Sequence, residues 1–191
     1  MSHYMHIMRK MGVNLTKQSG FQFVNALRPV PVDELPMATR PHYSVTEWNE
    51  FFGWLERMPG CTLVIDGLCS LLDQGHSCDF VLGIVHACQR IVDNKVSEGG
   101  NARLVVTMFL DDYSEPLARS LVRISHYLFS FEGLSSGSST EVAGQLTVVP
   151  GHLFCRIQTL PAKSFKPVLL HYRVSDTSVE FFSPGQSRMV L

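Results

Sequence analysis

Cys61-Thr62-Leu63-Val64-Ile65-Asp66-Gly67-Leu68-Cys69-Ser70-Leu71-Leu72-Asp73 is the stretch on which the fold turns. Thr62 to Ile65 is a short apolar run rich in β-branched residues, opened by Pro59-Gly60 and closed by the acid Asp66. An apolar run without alternation reads as a strand buried on both faces, the kind found in parallel sheets covered by helices. In open α/β sheets, chemistry gathers outside the carboxyl ends of the strands, which is where Asp66 falls.

Working outward, Ser44-Val45-Thr46-Glu47 has the form of a capping box, and Trp48, Phe51, Phe52, Leu55 and Met58 follow at helical spacing. That aromatic stripe suits a sheet or a partner surface. After Asp66, Leu68, Leu71 and Leu72 continue into a loop or short turn. Phe80, Val81, Ile84, Val85, Cys88, Ile91 and Val92 predict a long helix ending near Lys95, broken by Glu98-Gly99-Gly100-Asn101. Leu104 to Leu110 reads as a second buried strand. Asp112 to Glu115 can cap a further helix, with Pro116 tolerated in its first turn.

Strands are expected at Tyr127–Phe131 and Leu146–Val149. Val168 to Val174 alternates, with Val168, Leu170, Tyr172 and Val174 on one side and Leu169, His171 and Arg173 on the other. Ser175-Asp176-Thr177 turns the chain into Val179–Phe182, a hairpin. Near the start, Tyr4, Ile7, Met8 and Met11 predict a short helix stopped by Gly12. Phe21 to Leu27 reads as a strand. Pro29, Pro31, Pro36 and Pro41 make residues 28–43 a linker. Strands and helices alternating in this order predict one α/β domain over 1–191, with a mainly parallel sheet and an antiparallel C-terminal extension.

At 191 residues the chain can bury a core without staples. Its 16 Lys and Arg against 17 Asp and Glu give a net charge of -1, which advertises neither a nucleic-acid nor a membrane surface. Five cysteines without a C-x-x-C pair argue against a disulfide framework. With no run of membrane-span length and a polar N-terminus, the expectation is a soluble intracellular protein.

An acid at the place of Asp66 is the Walker B position of P-loop NTPases, where it helps hold magnesium. Such a site also needs G-x-x-x-x-G-K-[ST], whose backbone amides and lysine cradle the phosphates. No glycine here is followed by Lys-Ser or Lys-Thr, and the Gly133–Thr140 loop has no lysine. Asp66 then reads as a strand-end cap, a degenerate nucleotide-site acid. Asp111-Asp112 falls near the same sheet edge. His76-Ser77-Cys78 and His86-Ala87-Cys88 do not converge as zinc ligands, since a ten-residue helical step lies roughly 80° off one face. No G-x-S-x-G elbow occurs. Neither a catalytic residue nor a metal or cofactor site is expected. Arg156, Lys163, Lys166 and Arg173 form a modest basic strip, the one candidate for phosphate contact.

Several stretches together resemble the Elongator complex protein 6 family. They are Ser2-His3-Tyr4 leading to Gly12-Val13-Asn14-Leu15, then Asp66 with Leu68, Leu71, Leu72 and Gly75. Next come Glu132-Gly133-Leu134 and Gly144-Gln145-Leu146, and finally Ser178-Val179-Glu180-Phe181-Phe182 with terminal Val190-Leu191. The resemblance covers essentially the whole chain. It implies a RecA-like ATPase fold without the catalytic motifs, in a hetero-hexameric ring with Elongator proteins 4 and 5. That ring binds tRNA and supports modification of the wobble uridine, in the cytoplasm and also the nucleus. It also implies that a strand and helix preceding Ser2 in the family are missing here. The expected partner interface is the Trp48, Phe51, Phe52 and Leu55 helix, with the C-terminal hairpin as the alternative. The competing reading is a nucleotide-dependent enzyme that uses Asp66 with an unconventional phosphate loop. A third is an α/β adaptor unrelated to tRNA.

Overall fold

Thr62–Ile65 (β1) runs parallel to Arg103–Val106 (β2), with Leu63 beside Leu104 and Ile65 beside Val106. In this computed structural model the described residues are 2–14, 21, 22, 45–134, 137, 141–157 and 166–185. The expected strand at 21–27 falls almost entirely outside them, as do the linker at 28–43 and the Ser44 cap. The chain forms two compact units: Met1–Phe23 with Val122–Leu191, and Val24–Leu121.

The unit that holds β1 and β2 also contains Val45–Arg57 (α2), Cys69–Asp73 (α3) and Cys78–Ser97 (α4). Ser77 caps α4 by accepting from the Phe80 amide at 3.2 Å, as expected of Ser ahead of an apolar run. The predicted stripe faces inward: Val81, Ile84, Val85, Cys88, Ile91 and Val92 are all buried. Leu55, Leu68, Leu71, Leu72 and Leu117 are buried in the same unit. Lys95 Nζ donates to the carbonyls of Glu56 (2.9 Å) and Met58, so the end of α4 ties off the end of α2. A cation at a helix carboxyl end satisfies orphan carbonyls and complements the dipole.

The parallel strands differ from expectation in two ways. The second strand ends at Val106, one residue before Thr107, whose amide still donates to the Ile65 carbonyl at 2.9 Å. And the pair is half-buried on one face only. Leu63, Ile65, Leu104 and Val106 alternate with the exposed Val64 and Val105, because α4 packs against β2 from one side.

The other unit holds Ser2–Lys10 (α1), His152–Ile157 (α6) and a four-stranded antiparallel sheet in sequence order. Its strands are Tyr127–Glu132 (β3), Gly144–Pro150 (β4), Val168–Val174 (β5) and Val179–Phe182 (β6). Glu115–Ile124 (α5) leads into it. The Val13 amide donates to the Met8 carbonyl at 2.8 Å and Gly12 takes φ +79°, the left-handed stop expected at the end of α1. The register divides the sheet into two faces, the second of which also carries Leu128, Val149, Leu169 and Phe182. One face pairs Phe129 with Val148, Phe131 with Leu146, Leu146 with Leu170 and Tyr172 with Phe181. The other pairs Glu132 with Gln145, Gln145 with His171 and Arg173 with Glu180. The fold is thus mixed α/β, with a small parallel pair and a larger antiparallel sheet.

Candidate functional site

The carboxyl ends of β1 and β2 are the place where an α/β unit would hold a ligand. Here they are laced together. Asp66 follows β1, and its Oδ1 accepts from the Thr107 hydroxyl. The same hydroxyl accepts from the Gly67 amide at 3.0 Å, and the Thr107 carbonyl accepts from the Leu68 amide at 2.9 Å. Gly67 sits at φ +69°, a left-handed turn that glycine adopts without strain. Cys69 Sγ reaches the Phe109 carbonyl at 3.1 Å. The Gly67 and Leu68 amides, just ahead of α3, are therefore engaged by Thr107, while the Ser70 and Leu71 amides donate to the Gly67 and Leu68 carbonyls. Asp66 acts as a strand-end latch. Thr107→Val should cost about 1–2 kcal/mol in urea unfolding, because it removes the donor to a carboxylate and the acceptor of an amide.

Asp111 builds the cap of α5 together with Ser114. The Ser114 amide donates to Asp111 Oδ1 at 2.7 Å, and the Asp111 amide donates to Ser114 Oγ at 3.0 Å. Ser114 is fully buried, and its hydroxyl also donates to the Phe109 carbonyl at 2.9 Å. The sequence pointed to Asp112 for this role; Asp111 performs it. The Ser114 hydrogen bonds hold the Asp111 carboxyl below its ordinary pKa. A depressed carboxylate pKa contributes stability above the unfolded-state value, and this is lost as pH falls through the folded value. Asp111→Asn should therefore flatten the acid limb of the stability–pH curve below about pH 4, measured by urea midpoints between acid and neutral pH.

Among the described residues no three His, Cys, Asp or Glu side chains converge as metal ligands. His86 is exposed and Cys88 is buried on the same helix. Burial pushes the Cys88 thiol up to about 12, which makes it an inert core group. No helix among these residues is long and apolar enough to cross a membrane.

The expected partner face divides in two. Trp48 and Leu55 are buried, at 8% and 1% exposure, whereas Phe51 and Phe52 are half-buried. The Trp48 and Phe52 rings stack at 5.9 Å, Phe51 meets Trp48 edge-on at 5.8 Å, and Trp54 joins Phe51 at 5.8 Å. A shallow cleft of about 230 Å3 lies beside them, lined by Trp48, Asn49, Phe52, Phe80, Gly83 and Ile84. That is smaller than the roughly 300–1,000 Å3 of ordinary small-molecule sites. The basic residues are placed separately. Lys166 is exposed just before β5, and Arg173 pairs with Glu180 at 2.7 Å. Arg156 belongs to α6, and Lys163 lies outside the described residues. Sequence reasoning missed α6 and the Thr107 latch. The first is too short for a periodic signal, and the second joins residues far apart in the chain.

No family model matches the chain. Among curated proteins, the Elongator complex protein 6 of Xenopus laevis is 31% identical over 132 residues, 68% of this chain and 48% of that protein. The Xenopus tropicalis protein of the same name is 29% identical over 220 residues, covering 100% of this chain and 78% of its own length. The chain is a relative of Elongator complex protein 6. The human protein of that name matches at 28% over 137 residues, 68% of this chain and 47% of its own length. The chain thus spans about half the length of the Xenopus laevis and human Elongator proteins it matches. The match to the Xenopus tropicalis protein extends over more positions than this chain has residues, so that protein carries residues within the matched span that have no counterpart here. The Asp66–Gly75 stretch singled out in the sequence holds the latch and α3.

Proposed function

We propose that this chain is a non-catalytic subunit of the Elongator complex, built on a RecA-like domain. Together with Elongator proteins 4 and 5 it forms a hetero-hexameric ring that binds tRNA and supports wobble-uridine modification. The similarity to Elongator complex protein 6 over the full chain carries this reading. The commitment of Asp66 and of the Gly67 and Leu68 amides to Thr107 agrees with it, because those groups are then not presented to a nucleotide. The half-buried rings of Phe51 and Phe52 are the proposed contact with a ring neighbour, resting on a helix that Trp48 and Leu55 anchor. Arg156, Lys163, Lys166 and Arg173 are the proposed tRNA contacts, acting as part of a surface completed by the neighbours. No cofactor is needed, and the place of action is the cytoplasm and nucleus.

The test is tRNA binding by the reconstituted three-protein assembly, measured by filter retention with and without this chain. Retention that falls at least tenfold when the chain is omitted is the expected result. Equal retention would remove the chain from the tRNA-binding unit. Saturable Mg-ATP binding abolished by Asp66→Ala would instead favour an active nucleotide enzyme.

A further inference from the structure

We infer that Lys95 is the residue that positions α2 for docking: its ammonium, bound to the end of α2, fixes where the Phe51 and Phe52 rings stand. This rests on the reading of those rings as the contact with a ring neighbour.

Pro59 has no amide to donate and cannot continue the helix, so the last carbonyls of α2 need donors from elsewhere. Lys95 of α4 supplies them. Its Nζ donates to the Glu56 carbonyl at 2.9 Å and to the Met58 carbonyl. Its own backbone is held as well, because the Gly100 amide donates to the Lys95 carbonyl at 2.8 Å. Beside this clasp the turn after α2 meets the turn after α4 backbone to backbone. A Cβ at Gly60 would come within 2.8 Å of the Asn101 carbonyl oxygen, and the Arg103 amide donates to the Cys61 carbonyl at 3.0 Å. All of these groups belong to one compact unit.

The rest of α2 is held differently. Trp48 and Leu55 are buried, and the helix packs on α4. Apolar burial is non-directional, whereas hydrogen bonds have preferred lengths and angles, and those from a charged donor are the stronger ones. Two bonds from one ammonium therefore set the axial position and rotation of α2. Glu56 lies one helical turn beyond Phe52, so a release there reaches the rings directly.

The test pairs Lys95→Met, which keeps the aliphatic stem and removes the donors, with Lys95→Arg, which restores a charged donor. In the full chain alone, Lys95→Met should speed hydrogen exchange of the Leu55–Met58 amides about tenfold, the scale of a hydrogen bond from a charged group, and leave β1 and β2 within about twofold. Its Kd for the assembly of Elongator proteins 4 and 5 should rise about tenfold, and Lys95→Arg should return it to within about threefold of wild type. Thr107→Val, which loosens the opposite end of the β1–β2 pair, should change that Kd by less than about twofold. Unchanged exchange at Leu55–Met58 overturns the proposal whatever the assembly does. General loss of protection across the unit overturns it too, since Lys95 would then be holding the core rather than α2. A loosened α2 with unchanged association, or equal weakening by Thr107→Val, removes the positioning role. Failure of the wild-type chain itself to associate overturns the ring reading and the positioning role with it.

Discussion

Leu55→Ala is expected to cost about 3 kcal/mol, while Phe51→Ala on the same helix costs under about 1. Leu55 is 1% exposed in the core that α2 shares with α4, whereas Phe51 is half-buried. Truncating a buried leucine loses both its transfer free energy and the contacts around the cavity it leaves. The readout is direct, because both tryptophans of the chain, Trp48 and Trp54, lie on α2 and their fluorescence follows this helix. Urea unfolding followed at that signal should show the Leu55 variant with a sharply lowered midpoint. Association with the ring neighbours should show the reverse order, with the Phe51 variant losing more than its stability change explains. Equal stability losses from the two variants would mean that the whole stripe is core.

The second large effect belongs to the sheet. Gly144→Ala should cost about 3 kcal/mol or more, comparable with the loss of a large core side chain. A methyl group at Gly144 would press on the Glu132 carbonyl oxygen and come within 2.7 Å of the Tyr172 hydroxyl. The carbonyl is backbone of the adjacent strand and cannot swing aside. Gly144 pairs with Tyr172 in the ladder, and the Ala143 amide donates to the Tyr172 carbonyl at 2.8 Å. Relief would therefore pull apart β4 and β5 or β3 and β4. Hydrogen exchange should report it as lost protection across Gly144–Thr147 while α4 stays protected. Unchanged exchange in those strands would contradict the packing described.

Much of this fold was legible in the residues. The α4 stripe, the Val168–Val174 alternation and the C-terminal hairpin rest on period and turn chemistry, which act locally. What escaped was set by partners distant in sequence. Leu104–Leu110 reads as one strand, yet it stops at Val106, and the Thr107 hydroxyl serves Asp66, about forty residues back in the chain. Thr62–Ile65 reads as buried on both faces, yet Val64 and Val105 are exposed, because α4 covers one side only. The candidate site divided similarly. For Asp66, the bond to Thr107 is the role that the structure shows. The aromatic stripe could not show which of its members face inward, since Trp48, Phe51, Phe52 and Leu55 all satisfy the helical period.

Co-expression of this chain with Elongator proteins 4 and 5, followed by size-exclusion chromatography with mass determination, tests subunit membership most directly. The expected result is a single assembly with the mass of a hexamer that contains this chain. Elution of the chain apart from an assembly of the other two proteins would contradict it.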